Sequence, residues 1–319
     1  MDLSKYQKIE IEKVKTYSIQ KRKSKVKTAE FAKVVDKGST FKQFYESLPN
    51  ILKGNDLRIL VDLMVRACQT NKPIIVMMGA HVIKCGLGPV LIDLLQKKII
   101  SCLAMNGAGA IHDSELAYWG KTSEEVAEGL ADGTFGMARE TGIILNKTIS
   151  EARNTDMGFG EALGKKIMEE QPEYWQYSLL ANAYKMNIPV TIHVGIGTDI
   201  VHQQPNADGA AIGELSYRDF KIFSNMVSQL QNGGVVLNIG STVILPEVFL
   251  KALTVVRNLG YAAHNFTTAN FDMHAHYRPR VNVVERPVMS GGQGFQFLGH
   301  HEILIPLLAA ALKEEWTRV

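Results

Sequence analysis

Residues 103–113 read LAMNGAGAIHD: an apolar run, then small residues around Gly107 and Gly109, then a histidine and a carboxylate. Such a break closes a β-strand and leaves backbone amides uncovered, which suits either an anion such as a phosphate or an ordinary turn. It is not the GxGxxG fingerprint, because His112 stands where the third glycine belongs.

Outward from this corner, strand-like and helical patterns alternate. LRILVDLMVRAC (57–68) reads as a helix, and Pro73 precedes the strand IIVMM (74–78), which Gly79 ends. A helix from Gly88 to Lys98 leads to the strand IISCLAM (99–105) and then the opening loop. The next helix is expected in KTSEEVAEGL, where Thr122 and Glu125 have the spacing of a capping box. Further on come a helix around YWQYSLLANAYKMN, the strand IPVTIHV, a long loop over 195–213 and the helix YRDFKIFSNMVSQL. The strand VVLNI (235–239) feeds the helix EVFLKALTVVRNL, and the strand YAAHNF ends in the loop TTANFD. This order predicts an α/β fold with a doubly wound, mostly parallel sheet. Residues 1–50 form a basic arm with a lead-in helix, and 51–319 a single α/β domain. Loops that follow parallel strands share the carboxyl edge of the sheet, where ligands bind, so these corners should converge.

Among the 319 residues, 46% are hydrophobic, enough for a sizeable core. Against 32 acidic residues stand 35 basic ones, and a net charge of +3 gives no broad positive field for nucleic acid. The bases concentrate in KYQKIEIEKVKTYSIQKRKSKVKTAEF (5–31), read as a solvated arm or a subunit contact. No apolar run reaches the roughly 20 residues of a membrane span. Three cysteines without a CxxC, and no apolar leader after Met1, lead to a cytoplasmic expectation.

Further glycines in GIGTD (195–199), IGST (239–242) and GGQG (291–294) could bring bare backbone to a phosphate, ribose or nicotinamide. His274 and His276 form an HxH pair, yet no cysteine partner and no HExxH accompany it, and no metal is assigned. His81, His193 and His202 equally suit hydrogen-bonded strand ends. Asp113, Asp199, Asp208 and Asp272 could hold a cationic amine through charge-assisted hydrogen bonds, or cap helices. No GxSxG elbow is present, which disfavours a serine hydrolase.

Five stretches occur in one order between Gly79 and Leu312: MMGAHVIKCG, LAMNGAGAIHDSELA, ANAYKMNIPVTI with GTDIVH, FTTANFD followed by YRP, and HEILIPLLAAAL. In these the chain resembles deoxyhypusine synthase and its bacterial relatives. The resemblance implies a Rossmann-like domain that binds NAD and assembles as a homotetramer with active sites between paired subunits. It also implies oxidation of spermidine by hydride transfer to NAD, with the aminobutyl group passing through an enzyme lysine to an acceptor amine. Cofactor contacts would then fall on Gly107, Ala108, Gly109, Asp113 in place of a glutamate, Gly240, Thr268, Ala269 and Asp272. Asp199 and His81 would face the amine.

Two departures from that family matter. Its imine-forming lysine, in an SWGK segment, has no counterpart, because residues 277–302 contain neither lysine nor tryptophan. Arg286 lies near the expected place but contributes only charge, since a guanidinium forms no such imine. The acidic GSDSG segment has become MHAHY, which trades carboxylates for His274 and His276 as proton carriers. The expectation is therefore an NAD-dependent transferase for a polyamine or related small amine, working without a lysine imine through His274, His276 and Arg286. The alternatives are a non-catalytic NAD-binding scaffold and a metal-dependent enzyme built on the histidine cluster.

Overall fold

The structure is a computed structural model that describes residues 4–316. Its residues divide into two compact units, Met1–Gly54 and Asn55–Val319. The first holds three short 3₁₀ turns and α1 (Phe41–Ser47). Thr40 and Gln43 cap α1 reciprocally, the Gln43 N–H donating to Thr40 Oγ1 at 3.3 Å and the Thr40 N–H to Gln43 Oε1 at 2.7 Å.

The remaining elements follow in alternation. They are α2 (Leu52–Gln69), β1 (Ile74–Met78), α3 (His81–Lys84), α4 (Gly88–Gln96), β2 (Cys102–Asn106) and α5 (Gly107–Trp119). Next come α6 (Val126–Asp132), α7 (Arg139–Ala152), α8 (Phe159–Glu170), α9 (Leu179–Lys185), β3 (Val190–His193) and α10 (Gly209–Ser228). The chain closes with β4 (Val235–Ile239), α11 (Ile244–Asn258), β5 (Phe266–Asp272), α12 (Tyr277–Pro279), a π-helical turn over 280–285, β6 (Gly292–Leu298) and α13 (His301–Glu315).

The six strands lie in the order β3-β2-β1-β4-β5-β6, and every pair is parallel. Strands covered on both faces read as apolar runs, and all five residues of β1 and of β4 are buried. Ile75, Met77, Ala104, Val236 and Phe266 pack on one face against Phe223 of α10 and Phe249 of α11. The chain lays strands outward on both sides of the β1–β4 pair, so a crevice for ligands belongs outside the carboxyl ends of those two strands. No helix among the described residues is long and apolar enough to cross a membrane.

Three expectations about elements are corrected. LAMNGAGAIHD is no loop: α5 starts at Gly107 immediately after β2, with Asn106 Oδ1 accepting the Gly109 N–H at 3.1 Å as its N-cap. Gly109 is small because Met105 lies below it; a Cβ there would come within 3.0 Å of the Met105 sulfur. The Thr122–Glu125 capping box does not form either. Thr122 hydrogen-bonds Glu115 instead, and Glu125 caps α6 through the Ala127 N–H. TTANFD is the strand β5 itself, whereas residues 261–265 are irregular, with Ala263 and Asn265 at positive φ.

Candidate functional site

At the carboxyl ends of β1 and β4 the backbones nearly touch. The Gly79 N–H donates to Ile239 O at 2.9 Å, and a Cβ on Gly79 would meet Gly240 O at 2.3 Å. Gly240 is likewise taken up by the protein, because His301 at the start of α13 packs on it and a Cβ there would lie 2.6 Å from the ring. His301 Nε2 rests 3.3 Å from Phe271 O, its Nδ1 has no partner, and burial lowers its pKa. His81 meets this ring edge-on at a centroid distance of 5.8 Å. Both glycines are therefore needed for close packing of protein on protein.

A cavity of about 710 Å³ opens alongside, between the amino end of α5, the segment around Asp199, and α6 with its flanking loops. Ile111, Trp119, Val126 and Phe135 give it apolar walls, and Glu115, Glu124, Glu140 and Asp199 give it carboxylates. Lys84 and Lys121 also line it.

Asp199 decides the electrostatics of this cavity. Its side chain lies over Gly107, where a Cβ would come within 2.0 Å of Oδ2, and it accepts the Ala108 N–H. A carboxylate at a helix amino end is favoured by the uncovered amides and the helix dipole. Burial nevertheless dominates and pushes its pKa up to about 6, and its Oδ2 has no hydrogen-bond partner. The amides of Ala108 and Gly109 are thus used by the chain's own Asp199 and Asn106, and the Asp199 carboxylate lies over Gly107 where a phosphate would approach.

Glu115 behaves oppositely. Burial alone would raise its pKa, but hydrogen bonds with His112, Thr122 and Thr141 outweigh that effect and hold it below the ordinary carboxylate range. Thr141 Oγ1 donates to Oε1 at 2.9 Å. Glu115 is thereby kept ionised, with its lone pairs largely spent.

Of the other expected residues, Asp113 sits in the interior and caps α9. It accepts Ser178 Oγ at 2.5 Å and the Leu179 and Leu180 N–H groups at 2.7 and 3.1 Å, so its carboxylate is committed to a helix end. Thr268 and Ala269 are fully buried in mid-strand, paired on both sides. Asp272 ends β5; Oδ1 accepts the His274 N–H at 3.4 Å and Oδ2 has no partner. His274 and His276 follow it with ring centroids 6.0 Å apart, and neither lines the cavity.

Arg286 lies at the opposite, amino edge, in a small pocket with Arg257 and Asn258 from the last turn of α11. The reason is topological: to join β5 and β6 in parallel, residues 277–291 must cross the full depth of the sheet. GGQG opens β6 at that same amino edge, with Gly292 opposite Phe266. Among the described residues, no three His, Cys, Asp or Glu side chains converge as a metal site.

Sequence reasoning missed Glu115, the two lysines, and a buried amide ladder across three strands. Asn238 Nδ2 donates to Asn270 Oδ1 at 2.6 Å, and Asn270 Nδ2 to Gln296 Oε1 at 3.2 Å, following the strand register. Its signal was visible in VVLNI and FTTANFD, each an apolar strand interrupted by asparagine one or two residues from its end.

No protein-family model matches the sequence, and no curated protein matches it. Solved structures do match in shape. A protein assigned as a deoxyhypusine synthase from Entamoeba histolytica superposes with a TM-score of 0.52 at 11% identity, covering 90% of this chain and 98% of that one. A protein assigned as LOR/SDH from Methanococcus maripaludis gives 0.50 at 16% identity, covering 88% and 72%. An AgrE point mutant in complex with L-arginine gives 0.51 at 13% identity; 88% of this chain is covered, but it spans only 34% of AgrE. At such identities the likeness concerns architecture, and the architecture of this chain is the deoxyhypusine synthase-like α/β fold.

Proposed function

We propose that this chain is an enzyme acting on a small organic amine, of the polyamine or a related class, held as its ammonium in the cavity beside α5. The observation that carries this reading is Asp199: a buried carboxylate whose Oδ2 accepts no hydrogen bond, with His202 Nε2 3.8 Å away, lining a cavity of mixed apolar and charged walls. A carboxylate left unsatisfied in that setting is costly, and a charge-assisted hydrogen bond from an ammonium removes the cost. Trp119 and Phe135 offer the aromatic surface that organic cations favour. An amine must shed its proton before its nitrogen or the adjoining carbon can react, and Asp199, titrating near 6, is the group placed to take it.

NAD remains the proposed cofactor, at the carboxyl ends of β4 and β5. Asn238 Oδ1, Asp272 Oδ2 and His301 Nδ1 are buried there without partners, which fits a polar ligand group. When bound, NAD would supply a hydride acceptor for amine oxidation. The α5 corner, filled by Asp199, is not part of this proposal, and neither is a role in the cavity for His274, His276 or Arg286. The homotetramer belongs to the same reading and is checked by light scattering.

Calorimetry with spermidine, putrescine and L-ornithine tests the amine site. Because the bound ammonium favours the ionised carboxylate, affinity should fall about tenfold per pH unit below about 6, where Asp199 binds a proton. Asp199→Asn should weaken binding at least tenfold and abolish that pH dependence. A native chain that binds no amine at any pH sinks the proposal.

A further inference from the structure

The cavity is lined by charges of both signs, four carboxylates and two lysines. Glu115 is spent on Thr122, Thr141 and His112. Glu124 accepts the Gly136 N–H at 3.0 Å, and Glu140 pairs with Arg139 at 3.0 Å. The buried Asp199 Oδ2 has no hydrogen bond, with His202 Nε2 3.8 Å away. Against it stand two ammonium groups, Lys84 and Lys121, neither of which forms an ion pair or hydrogen bond among the described residues. A polyamine entering here would leave the two lysines without a counter-charge, and ammonium groups at close quarters to them disfavour binding. A ligand bearing an ammonium at one end and a carboxylate at the other satisfies both signs.

We infer that the amine taken by this cavity is zwitterionic, a basic amino acid whose ammonium or guanidinium meets Asp199 while its carboxylate meets Lys84 and Lys121. Two separate observations carry the inference: the more than nine-tenths buried Asp199, whose Oδ2 accepts no hydrogen bond, and the pair of lysines without ion pairs in the same cavity. Both lysines are exposed and belong to different segments, α3 and the loop after α5, so they reach the cavity from different directions. The inference rests on the amine reading above and narrows its substrate class.

The test uses pairs of amines that differ only by the carboxylate: L-arginine against agmatine, and L-ornithine against putrescine, titrated into the full chain. Each amino acid should bind at least tenfold more tightly than its decarboxylated partner. Lys84→Gln combined with Lys121→Gln, both surface changes, should erase that preference while binding of agmatine and putrescine holds or improves. Asp199→Asn should weaken all four. If agmatine and putrescine bind as tightly as the amino acids, or if the lysine variant keeps the preference, the zwitterion inference is overturned and the amine site stands. If none of the four binds, the amine site itself is overturned along with it.

Discussion

Asp219 of α10 illustrates how a single buried carboxylate can set a pH dependence far from any ligand. It has no exposed surface, and Oδ2 accepts the Gly160 and Ile192 N–H groups at 3.0 and 2.6 Å, tying α8 and β3 to α10. Burial outweighs those bonds and pushes its pKa up to about 8. A folded-state value above the unfolded one means the penalty is absent in acid. It grows as pH rises from the unfolded value of about 4 through the folded value. Asp113, pushed up to about 6, acts with the same sign. The urea midpoint should therefore fall between about pH 4 and about pH 8, and Asp219→Asn should flatten the decline. A midpoint that rises across this range in the native chain would show that the carboxylate is ionised at little cost. At this scale the sequence was a partial guide. Asp199 was legible as an acid at the carboxyl edge, because GIGTD follows a strand. The fate of Asp113 was not, because its partners Ser178–Leu180 come some 65 residues later.

At the scale of the element, the corner at Gly107 shows why a helix start resembles a loop. GAG is poor in helix propensity, and propensity alone argues against a helix there. What overrides it is the Asn106 cap and the close approach of Met105 and Asp199, which leave room only for glycine. Gly107→Ala separates the two effects. Alanine improves helix propensity by about 1 kcal/mol, whereas a methyl group 2.0 Å from the Asp199 carboxylate must push that side chain and its loop away. The clash should win, with a net loss of about 1–3 kcal/mol, the usual range for overpacking. Adding Asp199→Gly should recover most of it, leaving α5 more stable than before. Chemical denaturation of the single and double variants measures both quantities, and additive losses would mean that Asp199 and Gly107 are not in contact. By contrast, β1 and α4 were legible at once, since Pro73, Gly79 and the Gly88–Pro89 start are punctuation that tertiary contacts do not override.

For the molecule as a whole, alternation of helix and strand foretold a parallel sheet, because parallel neighbours require crossovers. Strand order was not foretold, since it depends on which distant strands pair, and order decides which loops share an edge. Arg286 was expected near the site from the resemblance, and GGQG as glycines open to a ligand, yet the 277–291 crossover delivers them to the other edge. The amide ladder is the feature that only the assembled sheet creates, because Asn238, Asn270 and Gln296 meet by register alone. Asn270→Leu breaks it, leaving Asn238 Nδ2 with the Ser241 carbonyl alone and depriving the half-buried Gln296 Oε1 of its donor. The expected loss is about 1–3 kcal/mol, the cost of one deserted group. Converting all three positions to leucine removes the deserted groups together, so stability should return toward the native value. A purely structural ladder predicts that this triple variant regains its stability and binds NAD as the native chain does. If the ladder instead orients groups for the dinucleotide at the ends of β4 and β5, the triple variant will be stable yet lose NAD affinity by tenfold or more. Denaturation and calorimetry on the same preparation therefore separate support of the sheet from support of the cofactor, and unchanged affinity would move the dinucleotide away from these strands.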